Sequence, residues 1–261
     1  MSRIEEKNED KNLLQEKSAD FDFSRRRFLS STVAAAGVTL ASGVTLYGIS
    51  SGDVLADKVS SAVRWAMLID VNNCDKDCNE CVTACSEENA LTDHGRPATD
   101  PQWIRKVEVK DPAGNYTKSL PVMCQHCEKP PCVDVCPTGA SFKRDDGIVL
   151  VDKHICIGCR YCIMACPYKA RSFVHEVLTD QNETTPRGKG TVEGCNLCVG
   201  RVDAGKQPAC VDACSSKGGK AMLFGDLNDP ESEISKRVAT YATQQIRADL
   251  GVNPGIRYQN L

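Results

Sequence analysis

Cysteine is the residue whose number and spacing point most directly to chemistry in this chain. The 261 residues include 16 cysteines and only four histidines, and the cysteines fall into four groups of four. Closely spaced thiolates are the ligands of soft metal ions and of iron–sulfur clusters. In chain order, we call the groups the first to fourth quartets: Cys74, Cys78, Cys81, Cys85; Cys124, Cys127, Cys132, Cys136; Cys156, Cys159, Cys162, Cys166; and Cys195, Cys198, Cys210, Cys214.

The third quartet has the spacing of a bacterial iron–sulfur loop. It reads "CIGCRYCIMACP", which is C-x2-C-x2-C-x3-C-P. In two-cluster ferredoxins, the last cysteine of such a run ligates the other cluster. The second quartet, "CQHCEKPPCVDVCP", also ends in Cys-Pro and supplies the partner run. The spacing therefore predicts two 4Fe–4S clusters that exchange one ligand each.

The outer quartets are less regular, but their position around the inner two suggests a second, nested pair. The same exchange then predicts four 4Fe–4S clusters in all. We number the predicted ligand sets as follows: set 1 is Cys74, Cys78, Cys81 and Cys214; set 2 is Cys195, Cys198, Cys210 and Cys85; set 3 is Cys124, Cys127, Cys132 and Cys166; set 4 is Cys156, Cys159, Cys162 and Cys136.

Zinc ribbons and disulfide scaffolds are the alternatives for a cysteine-rich chain. Zinc sites join two knuckles that are distant in sequence, often with histidine, whereas these quartets are self-contained. Disulfide scaffolds are typical of small secreted domains, and this chain is too long to need one. Because every quartet is complete, we expect no ligand role for His126, His154 or His175. We also find no arrangement of residues that predicts catalysis.

The N-terminus predicts export. Residues 24–29, "SRRRFL", form a twin-arginine motif, and no charge follows from Phe28 to Gly52. The triplet Val54-Leu55-Ala56 predicts cleavage after Ala56, although the uncharged stretch is also long enough to be retained as a membrane anchor. Because this route carries folded proteins, we expect a periplasmic protein whose cofactors are inserted before export.

The helices and strands around the cysteines are predicted to be short. Residues 64–71 read as a strand, and Asp111–Gly114 and Asp146-Gly147 mark the turns of two hairpins. A helix is predicted from about Glu231 to Asp249, followed by an extended tail. The polar segment from His175 to Cys195 is predicted to be a surface loop, with a partner-docking arm as the alternative.

These elements predict an α+β fold. It consists of tandem bacterial-ferredoxin-like units, arranged as two nested two-cluster modules, with short β-hairpins and surface helices. The predicted division is a leader and twin-arginine signal at 1–56, a four-cluster ferredoxin-like domain at 57–228, and a C-terminal helix and tail at 229–261. The net charge of −3 gives no indication of nucleic-acid binding.

The cysteine motifs, together with "DDGIVLVD", "CIGCRYCIMACPYKAR" and "CNLCVGRVDAGKQPACVDAC", resemble a known family. It comprises the four-cluster electron-transfer subunits of the dimethyl sulfoxide reductase superfamily, which serve tetrathionate, polysulfide and nitrite reductase systems. The likeness spans about Val63 to Gly225. It implies a non-catalytic relay between a redox partner and a quinone-reactive membrane subunit, and the ligand exchange of the outer quartets matches the family's pattern.

Among family members with their own twin-arginine signal, the chain looks most like the O subunit of the Dsr membrane complex. This narrower resemblance implies sulfur metabolism, an NrfD-like integral membrane partner and a small multihaem cytochrome or a reductase subunit. The chain would then be associated with the membrane through its complex. A subunit of a tetrathionate, polysulfide or nitrite reductase and a free-standing periplasmic ferredoxin are the alternatives.

Overall fold

The computed structural model describes residues 59–114, 116–179, 181 and 185–261. The predicted twin-arginine motif, uncharged stretch and cleavage site lie outside these residues. The strands are β1 Trp65–Asp70, β2 Ile104–Lys110, β3 Thr117–Met123, β4 Ser141–Lys143, β5 Val149–Val151, β6 Ser172–Phe173, β7 Val192–Glu193, β8 Met222–Asp226, β9 Thr243–Gln244 and β10 Ile256–Gln259. The α-helices are α1 Glu80–Glu88, α2 Pro131–Asp134, α3 Tyr161–Ala165, α4 Val199–Asp203, α5 Ala209–Ser216 and α6 Glu233–Thr240.

A four-stranded sheet in the order β8-β1-β10-β9 forms the framework. Strand β1 pairs antiparallel with β8 and parallel with β10, where Met67 is opposite Ile256. Both faces of β1 are covered, since Ala66, Met67, Leu68 and Ile69 are all buried. A strand that is buried on both faces reads as a continuous apolar run, which is how "WAMLID" reads.

The C-terminal segment differs from the prediction. Helix α6 ends at Thr240, so the prediction of a helix to Asp249 is wrong. Tyr241 has an extended backbone, and Thr243–Gln244 then pairs with β10 as β9. The expected tail contains β10, an inner strand of the sheet. Pairing of β9 with β10, which itself pairs with the distant strand β1, overrides the helical propensity of residues 241–249.

Two of the small sheets are the predicted hairpins. Strands β2 and β3 pair antiparallel around the Asp111–Gly114 turn, and β4 and β5 pair around Asp146-Gly147. A third small sheet, β6 with β7, was not predicted.

The predicted surface loop from His175 to Cys195 is packed at its end. Both guanidinium nitrogens Nε and Nη2 of Arg187 donate to the carboxylate of Glu193 at 2.8 Å, and both side chains are buried. Arg187 also donates to the carbonyl oxygen of Ala90 at 2.6 Å. The surface-loop prediction is therefore wrong for these residues, because a buried ion pair holds them against the rest of the chain.

The cysteines are part of the core. Cys81, Cys85, Cys195, Cys210 and Cys214 belong to one apolar cluster that also contains residues of β1, β8 and β10. Helices α1 and α5, which carry four of these cysteines, pack against each other. No helix in the described part of the chain has the length and apolar character needed to cross a bilayer.

Candidate metal centres

The four cysteines of set 1 line one small cavity, although they come from the first and fourth quartets. Burial raises the pKa of the Cys81 thiol to about 11, and the neighbouring Cys74 and Cys214 contribute to the rise. The amide of Ala221 donates to Sγ of Cys214 at 3.2 Å, which fixes this side chain at the cavity. Set 1 is therefore gathered as the predicted exchange requires.

Set 2 is gathered in the same way, with Cys85 brought from the first quartet to the fourth. Burial raises the pKa of Cys85 well above its ordinary value, and the neighbouring thiols of Cys195 and Cys198 add to the rise. Burial likewise raises the pKa of Cys210, with Cys198 and Cys85 as its neighbours.

Set 3 joins the second quartet to the last cysteine of the third. Burial raises the pKa of Cys127 to about 12, and Cys124, Cys132 and Cys166 add to the shift. All three of these neighbours are members of the predicted set.

The contacts within set 4 are less complete. Cys156 and Cys162 pack in one apolar cluster, and Cys156 Sγ accepts from the amide of Val192 at 3.5 Å. Helix α3, which carries Cys162, packs against α2, and Cys136 follows α2 by two residues. Cys159 is the one exposed cysteine. The pKa of Cys136 falls to about 7 because hydrogen bonds, chiefly from the amide of Ser141, outweigh burial, which would raise it.

Each set adjoins the next through a pair of neighbouring cysteines. Helix α1 connects set 1 to set 2 through Cys81 and Cys85. Cys195 of set 2 lies near Cys124 of set 3. Cys132 of set 3 lies near Cys162 of set 4. The order is therefore set 1, set 2, set 3, set 4.

The donor set, sixteen thiols in four sets of four, suits iron–sulfur clusters. All 16 cysteines are free of disulfides. The described residues contain no group of three or more His, Cys, Asp or Glu side chains close enough to hold one metal ion. One zinc ion would need its thiolates about 2.3 Å from a common point. A cubic cluster instead spreads its irons over several vertices, and each of four thiolates ligates a different iron.

Two buried polar side chains near sets 3 and 4 fit an anionic, sulfur-rich cofactor. Arg171 is buried and its Nη2 donates to Cys132 Sγ at 3.2 Å. His126 is buried, and its Nδ1 accepts from the amide of Val149 at 3.0 Å. The proton of this neutral ring is therefore on Nε2, which has no partner among the described residues. Burial lowers the pKa of His126 to about 3, so the ring stays neutral.

Comparison with known proteins agrees with this donor set. The model of the 4Fe-4S dicluster domain matches residues 116–227. The chain is 41% identical to the Hdr-like menaquinol oxidoreductase iron-sulfur subunit 1 of Archaeoglobus fulgidus, over 91% of this chain and 98% of that protein. It is 36% identical to NrfC of Escherichia coli, over 89% and 93% of the two chains. It is 38% identical to the B subunit of tetrathionate reductase from Salmonella typhimurium, over 76% and 73%.

The chain belongs to the family of iron–sulfur subunits that includes NrfC and its tetrathionate reductase counterpart. This membership confirms the family predicted from the motifs. The helices and small sheets of the fold agree with a ferredoxin-like dicluster domain. Which cysteines bind iron stays a prediction, for which the structure gives the neighbourhoods described above.

The motifs of an NrfC-like subunit do not reveal every residue of the site. Of the histidines near the motifs, His154 and His175 are exposed, whereas His126 is buried beside Cys127. Arg171 follows "CPYKA" directly, but its burial depends on β4 and α2, which are distant in the chain. Position next to a cysteine motif was the only available signal, and it does not separate Arg171 from the exposed Arg160.

Proposed function

We propose that this NrfC-like chain is the electron-transfer subunit of a respiratory complex and holds four 4Fe–4S clusters in sets 1 to 4. The linear order of the sets is the observation that carries the proposal. When bound, each cluster accepts and releases one electron at a time. Two nested ferredoxin-like modules, sets 1 and 2 and sets 3 and 4, would make up the chain. The role is non-catalytic, since every cysteine of every set is used as a ligand.

The contribution of the polypeptide is to fix the ligands and to keep water away from them. Ten of the 16 cysteines are buried, and only Cys159 is exposed. Backbone amides donate to the sulfurs of Cys136, Cys156 and Cys214. Such hydrogen bonds and the exclusion of solvent set the reduction potential of a cluster.

Four exposed apolar side chains flank Cys159 of set 4 in the chain. We call Ile155, Ile157, Tyr161 and Met164 the Cys159 patch, because all four are exposed and lie within five residues of Cys159. Exposed apolar patches on a soluble protein are typical of interaction sites. The first relative described above is named as a menaquinol oxidoreductase subunit, and menaquinol is a lipid-soluble donor. We propose that the Cys159 patch binds a quinone-reactive, NrfD-like membrane subunit.

Set 1, the first in this order, has exposed charged residues next to its cysteines. Residues Asp75, Lys76 and Asp77, which lie between Cys74 and Cys78, are all exposed. Charged surfaces favour partners from the aqueous phase, since they steer association and are sensitive to salt. We propose a water-soluble redox partner here, either a multihaem cytochrome or a reductase subunit. In the proposed setting the chain is exported to the periplasm and works in sulfur metabolism, as in a Dsr-type complex.

The Cys159 patch gives a direct test. Met164 and Val177 are exposed to a similar extent, at 67% and 70%, but Val177 lies outside the patch. Met164→Asp should abolish co-purification of the chain with the membrane subunit from detergent extracts. It should also abolish the quinol-dependent reduction of the chain, while Val177→Asp should preserve both properties. Loss in Val177→Asp alone would move the interface to the segment after His175. A wild-type chain that purifies alone, with no quinol-linked reduction, would instead support a free-standing ferredoxin.

A further inference from the structure

Arg171 connects ligand sets 3 and 4. Its Nη2 donates to Sγ of Cys132, in set 3, at 3.2 Å. Its Nη1 donates to Oγ of Ser141 at 2.6 Å, and the amide of Ser141 donates to Sγ of Cys136, in set 4, at 3.3 Å. Cys162, also in set 4, lies against the same guanidinium. One side chain therefore reaches ligands of two neighbouring sets.

The charge of Arg171 has no carboxylate partner in the described structure. The neighbouring groups that would favour its positive charge, once ionised, are the sulfurs of Cys132, Cys124 and Cys162. Arg187, which is also buried, instead has Glu193 as an ion-pair partner. A buried cation without a counter-charge is strongly unfavourable, so negative charge must come from the groups around it. For Arg171 these groups are thiolate ligands.

We propose that Arg171 raises the reduction potentials of the clusters in sets 3 and 4 together. This inference rests on the proposed function. A reduced cluster carries one more negative charge than an oxidised one, so a fixed cation and its hydrogen bonds to sulfur favour the reduced state. Burial makes the effect larger, because the charge acts through a medium of low dielectric constant. The thiols named above as neighbours of this guanidinium all belong to sets 3 and 4.

The structure also offers a matched control. Arg160 directly follows Cys159, a predicted ligand of set 4. It is exposed, and its guanidinium lies over the ring of Phe173 at 3.8 Å. Solvent screens an exposed charge, so loss of Arg160 should change the cluster potentials much less than loss of Arg171.

The test is a redox titration of the purified full chain, monitored by electron paramagnetic resonance. In Arg171→Met, the equilibrium constant for one-electron reduction should fall at least tenfold for two of the clusters, which is about 59 mV each. The reduction potentials of the other two clusters should be unchanged. Arg171→Lys should lower the two affected potentials less than Arg171→Met does. The proposal is overturned if Arg171→Met shifts no cluster more than Arg160→Gln does.

A second variant covers the case in which Arg171→Met does not assemble. Ser141→Ala keeps the cation and the amide bond from residue 141 to Cys136, but removes the hydroxyl oxygen that accepts from Arg171. It should shift the potentials of the same two clusters by a smaller amount, and an unchanged titration would contradict the proposal. An iron count on the wild-type chain distinguishes failure of the proposed function from failure of the proposed role of Arg171. Fewer than four clusters would sink the proposed function, whereas four clusters with unaltered potentials would sink only the role of Arg171.

Discussion

Cys81 and Cys85 are one helical turn apart on α1, yet they lie against different groups of cysteines. Cys81 neighbours Cys74 and Cys214, whereas Cys85 neighbours Cys195 and Cys198. Four residues of α-helix rise by about 6 Å, so one turn is enough to direct the two thiols to adjacent centres. The helix therefore holds two centres at a fixed separation, and the same device recurs with Cys210 and Cys214 on α5.

The ligand exchange predicts which cysteine variants share a defect. Cys214→Ala and Cys78→Ala should lose or alter the same signal in electron paramagnetic resonance, because both residues belong to set 1. Cys210→Ala, one turn away on α5, should instead match Cys85→Ala. If Cys214→Ala and Cys210→Ala perturb the same centre, the exchange between the outer quartets is wrong.

The loop of set 4 depends on a glycine. Gly158 has φ +70°, and a Cβ built there would lie 2.2 Å from the carbonyl oxygen of Gly190. Gly158→Ala should therefore shift the loop and lose the signal that Cys156→Ala also loses. The control is Gly114→Ala, where φ is +76° but nothing lies within 4 Å of the added Cβ. That variant should cost about 1 kcal/mol and leave every signal in place.

Breaking the buried ion pair of Arg187 and Glu193 should lower the stability of the fold substantially. Glu193→Gln leaves the guanidinium buried without its counter-charge, which should lower the free energy of unfolding by about 3–5 kcal/mol. Replacing both residues with apolar ones of similar volume should restore much of the loss. The exposed pair of Lys236 and Glu231 is the control, since Glu231→Gln should cost less than about 1 kcal/mol. Denaturant unfolding under anaerobic conditions measures the free energy of unfolding of both variants. Equal losses in Glu193→Gln and Glu231→Gln would contradict the burial of the pair of Arg187 and Glu193.

Because β10 is an inner strand of the sheet, we expect the C-terminal residues 256–259 to be needed for stability. Ile256 is fully buried opposite Met67, so Ile256→Ala should cost about 2–5 kcal/mol. Leu250→Ala, at an exposed position in the same segment, should cost much less. Comparable denaturation midpoints for the two variants would show that residues 256–259 do not form an inner strand in solution.

The sequence predicted the parts of the fold that are encoded locally. The hairpins at Asp111–Gly114 and Asp146-Gly147 both depend on turn residues and neighbouring side chains. Strand β10 was missed because its pairing with β1 joins residues 189 positions apart, as in Met67 and Ile256. No local pattern reports such a pairing.

The candidate site shows the same division. Quartet spacing was enough to propose the ligand sets, since three cysteines of each set come from one quartet. The contact of Arg171 with Cys132 was not accessible, because it depends on how β4 and α2 meet the segment after Cys166. Burial of a charged side chain is a property of the packed structure.

Analysis of iron and acid-labile sulfide counts the clusters that the chain holds. Anaerobically purified chain should contain about 16 iron and about 16 sulfide atoms, which is four of each for every one of four clusters. A brown protein with about eight iron atoms or fewer at full loading, or a colourless protein that contains zinc, would contradict the assignment of all four cysteine sets to clusters.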